Sequence, residues 1–384
     1  QALFEIDPRD FQIAVDKAKA ELADAEAAAI AAQSNVPITS TSTQSSVVSA
    51  QGSLDQARSA IDEGRWQDAR RFATEAVLTA RSGAVTAPLG FALGSLGMAL
   101  RELGDLAGSR SAHTEELAVA RQVGDEAAVA TALVNLAAVD IASNDLQACL
   151  QKYAEAEPVL RARGLAMALV PLLNNRWQVH AALGDHAAAI ADLVDCGAQC
   201  AVCGADQQRV QVLTQAVELM YQTGRQAEAE PVWAALAEAC ARIEDDAGLQ
   251  RAVGEQALLV LARGDRDLAG RLLDQQEEIC RRTGDQVGLA ACVGNQAILL
   301  QQQGDLTGAL AHLDEQLALA RATNNGQGVL FATANRGEVL GNLGRVQEGL
   351  DALAEARAMA AQWGLGPMVQ QLDQMIAALR ARRN

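Results

Sequence analysis

Small and apolar positions recur along this chain at fixed points between short polar breaks, and the breaks are evenly spaced. Gly, once Asn, followed by Asp or Arg stands at Gly64-Arg65, Gly104-Asp105, Asn144-Asp145, Gly184-Asp185, Gly224-Arg225, Gly264-Asp265, Gly304-Asp305 and Gly344-Arg345, 40 residues apart without insertion or deletion. Five positions after each marker stands a small residue: Ala69, Ser109, Cys149, Ala189, Ala229, Ala269, Ala309 and Gly349. Seven positions before it the residue is again mostly small (Ala57, Gly97, Ala137, Val217, Ala257, Ala297, Gly337), with Trp177 the large exception. Matched small residues let two helices approach closely. A second set of breaks falls midway, at Gly124-Asp125, Gly164, Gly204, Gly284-Asp285, Asn324 and Gly364. Each unit therefore predicts two helices of roughly 16 to 18 residues joined by tight turns. Gly suits the left-handed residue that ends a helix, and the following Asp caps the next one. The expected fold is all-α, about sixteen antiparallel helices after residue 50, built as tandem helical hairpins. Pro158 and Pro231 fall inside second helices and Pro171 beside Trp177 in a first helix, so local distortion is expected there.

The pattern Leu96-Gly97, Leu100, Gly104-Asp105, Ser109, repeated as Gly294-Asn295-Gln296-Ala297 through Gly304-Asp305-Leu306-Thr307-Gly308-Ala309, resembles the tetratricopeptide repeat in its longer bacterial variety. The resemblance covers about residues 50 to 384, with aliphatics in place of the usual first-helix aromatic. It implies a right-handed α-solenoid whose repeat array spans residues 51–364, closed by a C-terminal capping helix over 365–384.

Residues 1–50 stand outside the repeat. The string Ala2-Leu3-Phe4-Glu5-Ile6-Asp7-Pro8-Arg9-Asp10-Phe11 leads into an alanine-rich helix over Gln12 to Gln33, followed by the polar break Val36 to Thr43. This segment resembles the hairpin entry of hemolysin-D-type periplasmic adaptor proteins, although the remaining parts of such an adaptor are missing. The favoured expectation is an N-terminal capping helical hairpin on the array, since repeats need caps.

Composition narrows the function classes. Half of the residues are hydrophobic but only 3% are aromatic, and 7 Pro in 384 residues suit helices, not a β-sandwich or barrel. The 48 acidic and 31 basic residues give a net charge of −17, which disfavours nucleic acid or an anionic membrane as partner. The run Leu165 to Leu173 is the longest apolar one of note and contains Pro171, far short of a membrane span of roughly 18 residues. The chain opens on Gln with no basic or apolar leader, so an excised segment is expected. Seven Cys scattered through a helical chain suit reduced thiols in the cytoplasm, with the periplasm as the alternative if the adaptor resemblance holds.

Candidate chemistry is sparse, and neither a catalytic residue nor a cofactor or metal site is expected. The spacing Cys196-x3-Cys200-x2-Cys203 resembles the cluster-binding triad of radical S-adenosylmethionine enzymes. The repeat register opposes that assignment: Cys200, Cys240 and Cys280 share one place in successive units, where other units carry Ala or Leu. A buried packing role follows. The histidines at 113, 180, 186 and 312 make no ligand pair on one helical face, so surface or half-buried positions are expected. One column stands out. Nine residues before the markers lie Ser95, Asn135, Asn175, Gln215, Glu255, Asn295 and Asn335, and amides inside a helix need a compensating role. The tetratricopeptide resemblance implies that this column faces a concave groove, where Asn135, Asn175, Gln215, Asn295 and Asn335 would grip a peptide main chain. The alternative is that these amides bond neighbouring helices and set the pitch. Glu218, Glu255 and Glu338 lie on or beside the same face and favour a basic or neutral segment. A non-catalytic interaction scaffold is the favoured expectation. The alternatives are a sensor module of a larger signalling protein and an assembly element of a transport system.

Overall fold

The computed structural model describes residues 41–383, and the readings made for residues 1–40 lie outside the described residues. Seventeen α-helices and no strand are found among them. The first helices of the hairpins are α1 (Thr41–Asp62), α3 (Thr86–Glu102), α5 (Glu126–Ala142), α7 (Ala166–Ala182), α9 (Asp206–Gln222), α11 (Asp246–Ala262), α13 (Gln286–Gln303) and α15 (Gly326–Asn342). The second helices are α2 (Trp66–Ser82), α4 (Leu106–Val123), α6 (Leu146–Ala162), α8 (His186–Cys203), α10 (Glu230–Arg242), α12 (Arg266–Thr283), α14 (Leu306–Ala322) and α16 (Val346–Gln362). A last helix, α17 (Gly366–Arg383), follows in first-helix register. The chain forms two compact units, one ending at Val212 and the other beginning at Leu213. Helix α1 runs unbroken through residue 50.

The markers are the turns. Every described residue in the left-handed region lies on a 20-residue grid from Gly64 to Gly364. At Gly104 φ is 82°, its N–H bonds Arg101 O at 2.9 Å, and the Asp105 N–H bonds Leu100 O at 2.9 Å, closing α3 as a Schellman motif. Asp105 then turns its carboxylate onto the N–H of Gly108 at 2.8 Å and opens α4. One residue thus ends one helix and caps the next. The same side-chain cap is made by Asp125, Asp145, Asp185, Asp245, Asp265, Asp285, Asp305 and Asn325. Where Arg replaces Asp, no such cap forms; Arg65, Arg225 and Arg345 instead pair with Asp68, Glu228 and Glu348 in the first turn of the new helix. An acid there complements the helix dipole. Two grid positions hold neither Gly nor Asn, yet Ala84 (φ 51°) and Glu244 (φ 57°) are also left-handed.

The prolines differ in effect. Ahead of Pro231 the helix is replaced by a 3-10 turn over Gln226–Glu228, so α10 has 13 residues. Helices α6 and α7 continue through Pro158 and Pro171 to their full 17 residues.

The matched small positions are where the two helices of a hairpin cross. Ser109 Oγ donates to Gly97 O at 2.7 Å, and a Cβ on Gly349 would stand 2.7 Å from Gly337 O. Ala69, Cys149, Ala189, Ala229, Ala269 and Ala309 have no exposed surface. The core is accordingly a series of small clusters, as in a stack of repeats. In the second unit one of these joins Leu330 and Leu353 to Leu372, Ile376 and Leu379 of α17, whose other side presents Gln370, Asp373 and Gln374 to solvent.

Candidate functional site

Within each unit successive first helices pack directly on one another: α1 on α3, α3 on α5 and α5 on α7, then α11 on α13, α13 on α15 and α15 on α17. Second helices meet mainly through long side chains, Arg81 to Glu115 (2.6 Å), Arg121 to Glu155 (3.0 Å) and Arg161 to Asp195 in the first unit, Arg281 to Glu315 (3.5 Å) in the second. The first helices are therefore the more closely spaced layer, the inner side of each unit.

Within each unit the solvent-facing line of that layer carries members of the amide column, Asn135 and Asn175 in the first and Gln215, Asn295 and Asn335 in the second. On α15 it runs Phe331, Asn335, Glu338, Asn342. Asn135, Asn175, Gln215, Glu255, Asn295 and Asn335 are all half-buried on this line, Ser95 is buried, and Glu218 and Glu338 are exposed. Their partners differ. Asn135 Nδ2 donates to both carboxylate oxygens of Glu116 at 3.3 Å, so this amide is held by a neighbouring helix. Asn175 lies beside the hydroxyl of Tyr153, whose pKa burial pushes up and the amide acts to lower. Gln215 Oε1 is buried without a partner. Glu255 accepts from the Tyr221 hydroxyl at 3.1 Å, and Tyr221 meets Trp233 edge to face with centroids 6.4 Å apart. Glu338 accepts from Gln301 Nε2 at 3.4 Å. Asn295 and Asn335 have no hydrogen-bond partner for their side chains among the described residues.

Beneath this line lie ion pairs that column-by-column reading of the sequence did not find. Asp140 on α5 is wholly buried and accepts from Arg110 of α4 and Lys152 of α6, both at 2.5 Å. Forty residues on, the same two places hold His180 and Asp192, 3.7 Å apart, with the acid now on the second helix. Arg176 of α7 bonds Asp192 at 2.7 Å and also Glu157 of α6, which is shared with Arg161 at 2.5 Å. Burial acts against the Arg176 charge, but these two carboxylates outweigh it and raise its pKa. Burial likewise works to raise Glu157, and its bonds to Arg176 and Arg161 outweigh that and lower it. Asp192 is raised because burial dominates. In most other hairpins these places are aliphatic, such as Leu100 with Ala112 and Leu340 with Ala352.

The cysteines sit in the core. Cys196 and Cys200 are buried on α8, Cys203 is half-buried, and Cys240 and Cys280 are buried at the places equivalent to Cys200. Cys196 Sγ donates to Val170 O at 3.5 Å. Among the described residues no group of three His, Cys, Asp or Glu side chains is placed to hold a metal ion. His180 and His312 are half-buried and His186 is exposed. His113 departs from the expectation for the histidines: it is 1% exposed and bonds Glu116 through Nδ1 at 2.7 Å. Gly97 makes this possible, because a Cβ there would collide with the ring.

The described residues thus form an all-helical tandem array of antiparallel hairpins. No family model matches the sequence, and no curated protein matches it. Among solved structures, the chain is similar to a signal transduction ATPase with numerous domains and a tetratricopeptide repeat sensor from Pyrococcus horikoshii (10% identity, 80% of this chain and 46% of that chain, TM-score 0.43). It is also similar to a tetratricopeptide repeat protein from Parabacteroides merdae (15% identity, 75% and 97% coverage, TM-score 0.34). A third similar structure is yeast Tom70 (14% identity, 91% and 66% coverage, TM-score 0.38). The chain spans less than half the length of the first of these. No described helix is long and apolar enough to cross a membrane.

Proposed function

We propose that this chain is a non-catalytic interaction scaffold in which the inner layer of first helices of the second unit takes an extended segment of a partner protein. The observation that carries the reading is the amide column: one position on the solvent-facing line holds Asn135, Asn175, Gln215, Asn295 and Asn335, and in Asn295 and Asn335 both amide groups are free to bond a ligand. A side-chain amide donates and accepts at once, which matches the alternating C=O and N–H of a peptide main chain whatever its sequence. Glu218, Glu255 and Glu338 beside the column, in a chain of net charge −17, favour a basic or neutral segment over an acidic one. The test is selection of a binder from a random peptide display library against the full chain, followed by titration of that peptide against wild type and the Asn295→Ala, Asn335→Ala variant. Loss of about tenfold or more in affinity is expected from two amide contacts of about 1 kcal/mol each. Equal affinities with unchanged circular dichroism would remove the column as the binding device.

A further inference from the structure

Three hairpins share a constellation that the others lack. Gly94, Glu116 and Asn135 recur as Gly254, Gln276 and Asn295 after 160 residues, and as Gly294, Gln316 and Asn335 after 200. In each case the glycine on the first helix makes room for the long polar side chain of the second: a Cβ on Gly94, Gly254 or Gly294 would collide with Glu116, Gln276 or Gln316 respectively. In the other hairpins glycine and the long polar residue are absent together, as in Val134 with Ala156 or Ala334 with Ala356. The polar side chain is thus seated deliberately behind the amide column. Glu116, Gln276 and Gln316 are at most 9% exposed.

The three copies differ in state. Around Glu116 the acceptors are satisfied, by Asn135 Nδ2 and by His113. Gln276 donates to Gln250 Oε1 at 3.2 Å, but Gln276 Oε1 and Gln316 Oε1 are buried with no partner. A buried acceptor left open is costly, and a donor at the register of Asn135 would satisfy it. Asn295 and Asn335 occupy that register and their amides are uncommitted.

We propose that Gln276 and Gln316 are positioning residues for peptide capture by Asn295 and Asn335, while Asn135 is a brace already locked by Glu116. This rests on the peptide-binding reading of the amide column. On engagement one Nδ2–H of each asparagine donates to the glutamine Oε1 behind it. That bond fixes the amide plane, leaving Oδ1 to accept from a peptide N–H and the second Nδ2–H to donate to a peptide C=O. Capture is thereby confined to α13 and α15, and the glutamines act only through the asparagines.

The experiment compares full-length wild type with Gln276→Met, Gln316→Met, with Asn295→Ala, Asn335→Ala, and with all four changes together, titrating the peptide selected from the display library. Methionine fills the glycine cradles without an acceptor. The Met pair is expected to bind about tenfold more weakly with an unchanged or raised thermal midpoint. The fourfold variant should bind no more weakly than the Ala pair, because the glutamines act through the asparagines. Gln276→Glu with Gln316→Glu, whose two acceptor oxygens would take the asparagine Nδ2 as Glu116 takes that of Asn135, should weaken binding as the Ala pair does. Wild-type affinity in the Met pair, with weakened binding in the Ala pair, overturns the positioning role and leaves amide capture standing. Additive losses in the fourfold variant also overturn it. Unchanged affinity in the Ala pair overturns the peptide-binding reading and the positioning role with it. If the Met pair does not fold, Gln316→Met against Asn335→Ala is read in the same way.

Discussion

Replacing Asp140 by Leu isolates the worth of a buried charge in this array, because the repeats supply their own control. The Asp140 carboxylate has no exposure and holds Arg110 and Lys152 at 2.5 Å, whose side chains are 42% and 23% exposed. Removing the acid leaves both cations unpaired. Breaking a buried pair costs about 3–5 kcal/mol, and the low end applies since both cations reach water, so about 3 kcal/mol is expected. Adding Lys152→Ala recreates the Leu100 with Ala112 and Leu340 with Ala352 pairs found in other hairpins. That double variant should lie within about 1 kcal/mol of wild type, since well-packed apolar replacements of buried ion pairs are often neutral. The assay is urea unfolding by circular dichroism, with hydrogen exchange of the α5 and α6 amides to localise the effect, because a repeat array opens in parts. If the single and double variants lose equal stability, the cost is one of packing volume and the electrostatic account is wrong.

The turn grid gives a second prediction: Ala84→Gly and Glu244→Gly, at φ 51° and 57°, should each stabilise the chain by about 1 kcal/mol, whereas Gly104→Ala, at φ 82°, should cost a similar amount, all measured by thermal unfolding. For the thiols, burial pushes Cys149, Cys240 and Cys280 up to about 11 and Cys292 up to about 12. With a disulfide reagent at neutral pH, half-buried Cys203 should react first and the buried thiols only after unfolding; rapid labelling of several thiols in native protein would contradict the core placement. The acid response follows from Glu157, whose lowered pKa means a contribution present above 4.5 and lost as pH falls through the depressed value. Glu157→Gln should therefore flatten the fall of stability in acid, and Asp192→Asn should steepen it, because the raised Asp192 pKa gives a contribution present below 3.8 and lost as pH rises; equal slopes in urea titrations across that range would refute both.

Much of the architecture was legible because its signals are local. Gly or Asn followed by Asp carries both ends of a turn, so the sequence alone places Gly104, Asn144 and Gly304 at helix ends. Ala84 and Glu244 escape such reading, because neither side chain favours the left-handed region that each adopts. The amide column was legible as a spacing, but the bond that commits Asn135 to Glu116 was not, since it joins helices 19 residues apart in sequence. The rungs from Arg81 to Glu115 and from Arg121 to Glu155 were missed for the same reason. Each column taken alone looks like a solvated charge, and the pairing shows only when two columns are read together.

The buried charges also bear on how identical hairpins keep their order. With every unit 40 residues long and every turn on one grid, geometry alone does not distinguish one first helix from another. Chemistry does. Asp140 on α5 requires the cation of Lys152 on α6, whereas His180 on α7 faces the carboxylate of Asp192 on α8. Setting α5 against α8 would bury Asp140 beside Asp192, two carboxylates together, and setting α7 against α6 would leave Lys152 facing no carboxylate at that place. Charges enclosed without an opposite partner are costly where water is excluded, so each mismatch is penalised relative to the native pairing. Aliphatic pairs such as Leu100 with Ala112 are interchangeable between hairpins and carry no such information. A regular solenoid thus gains its uniform spacing from the columns that repeat and its register from the few that break the repeat.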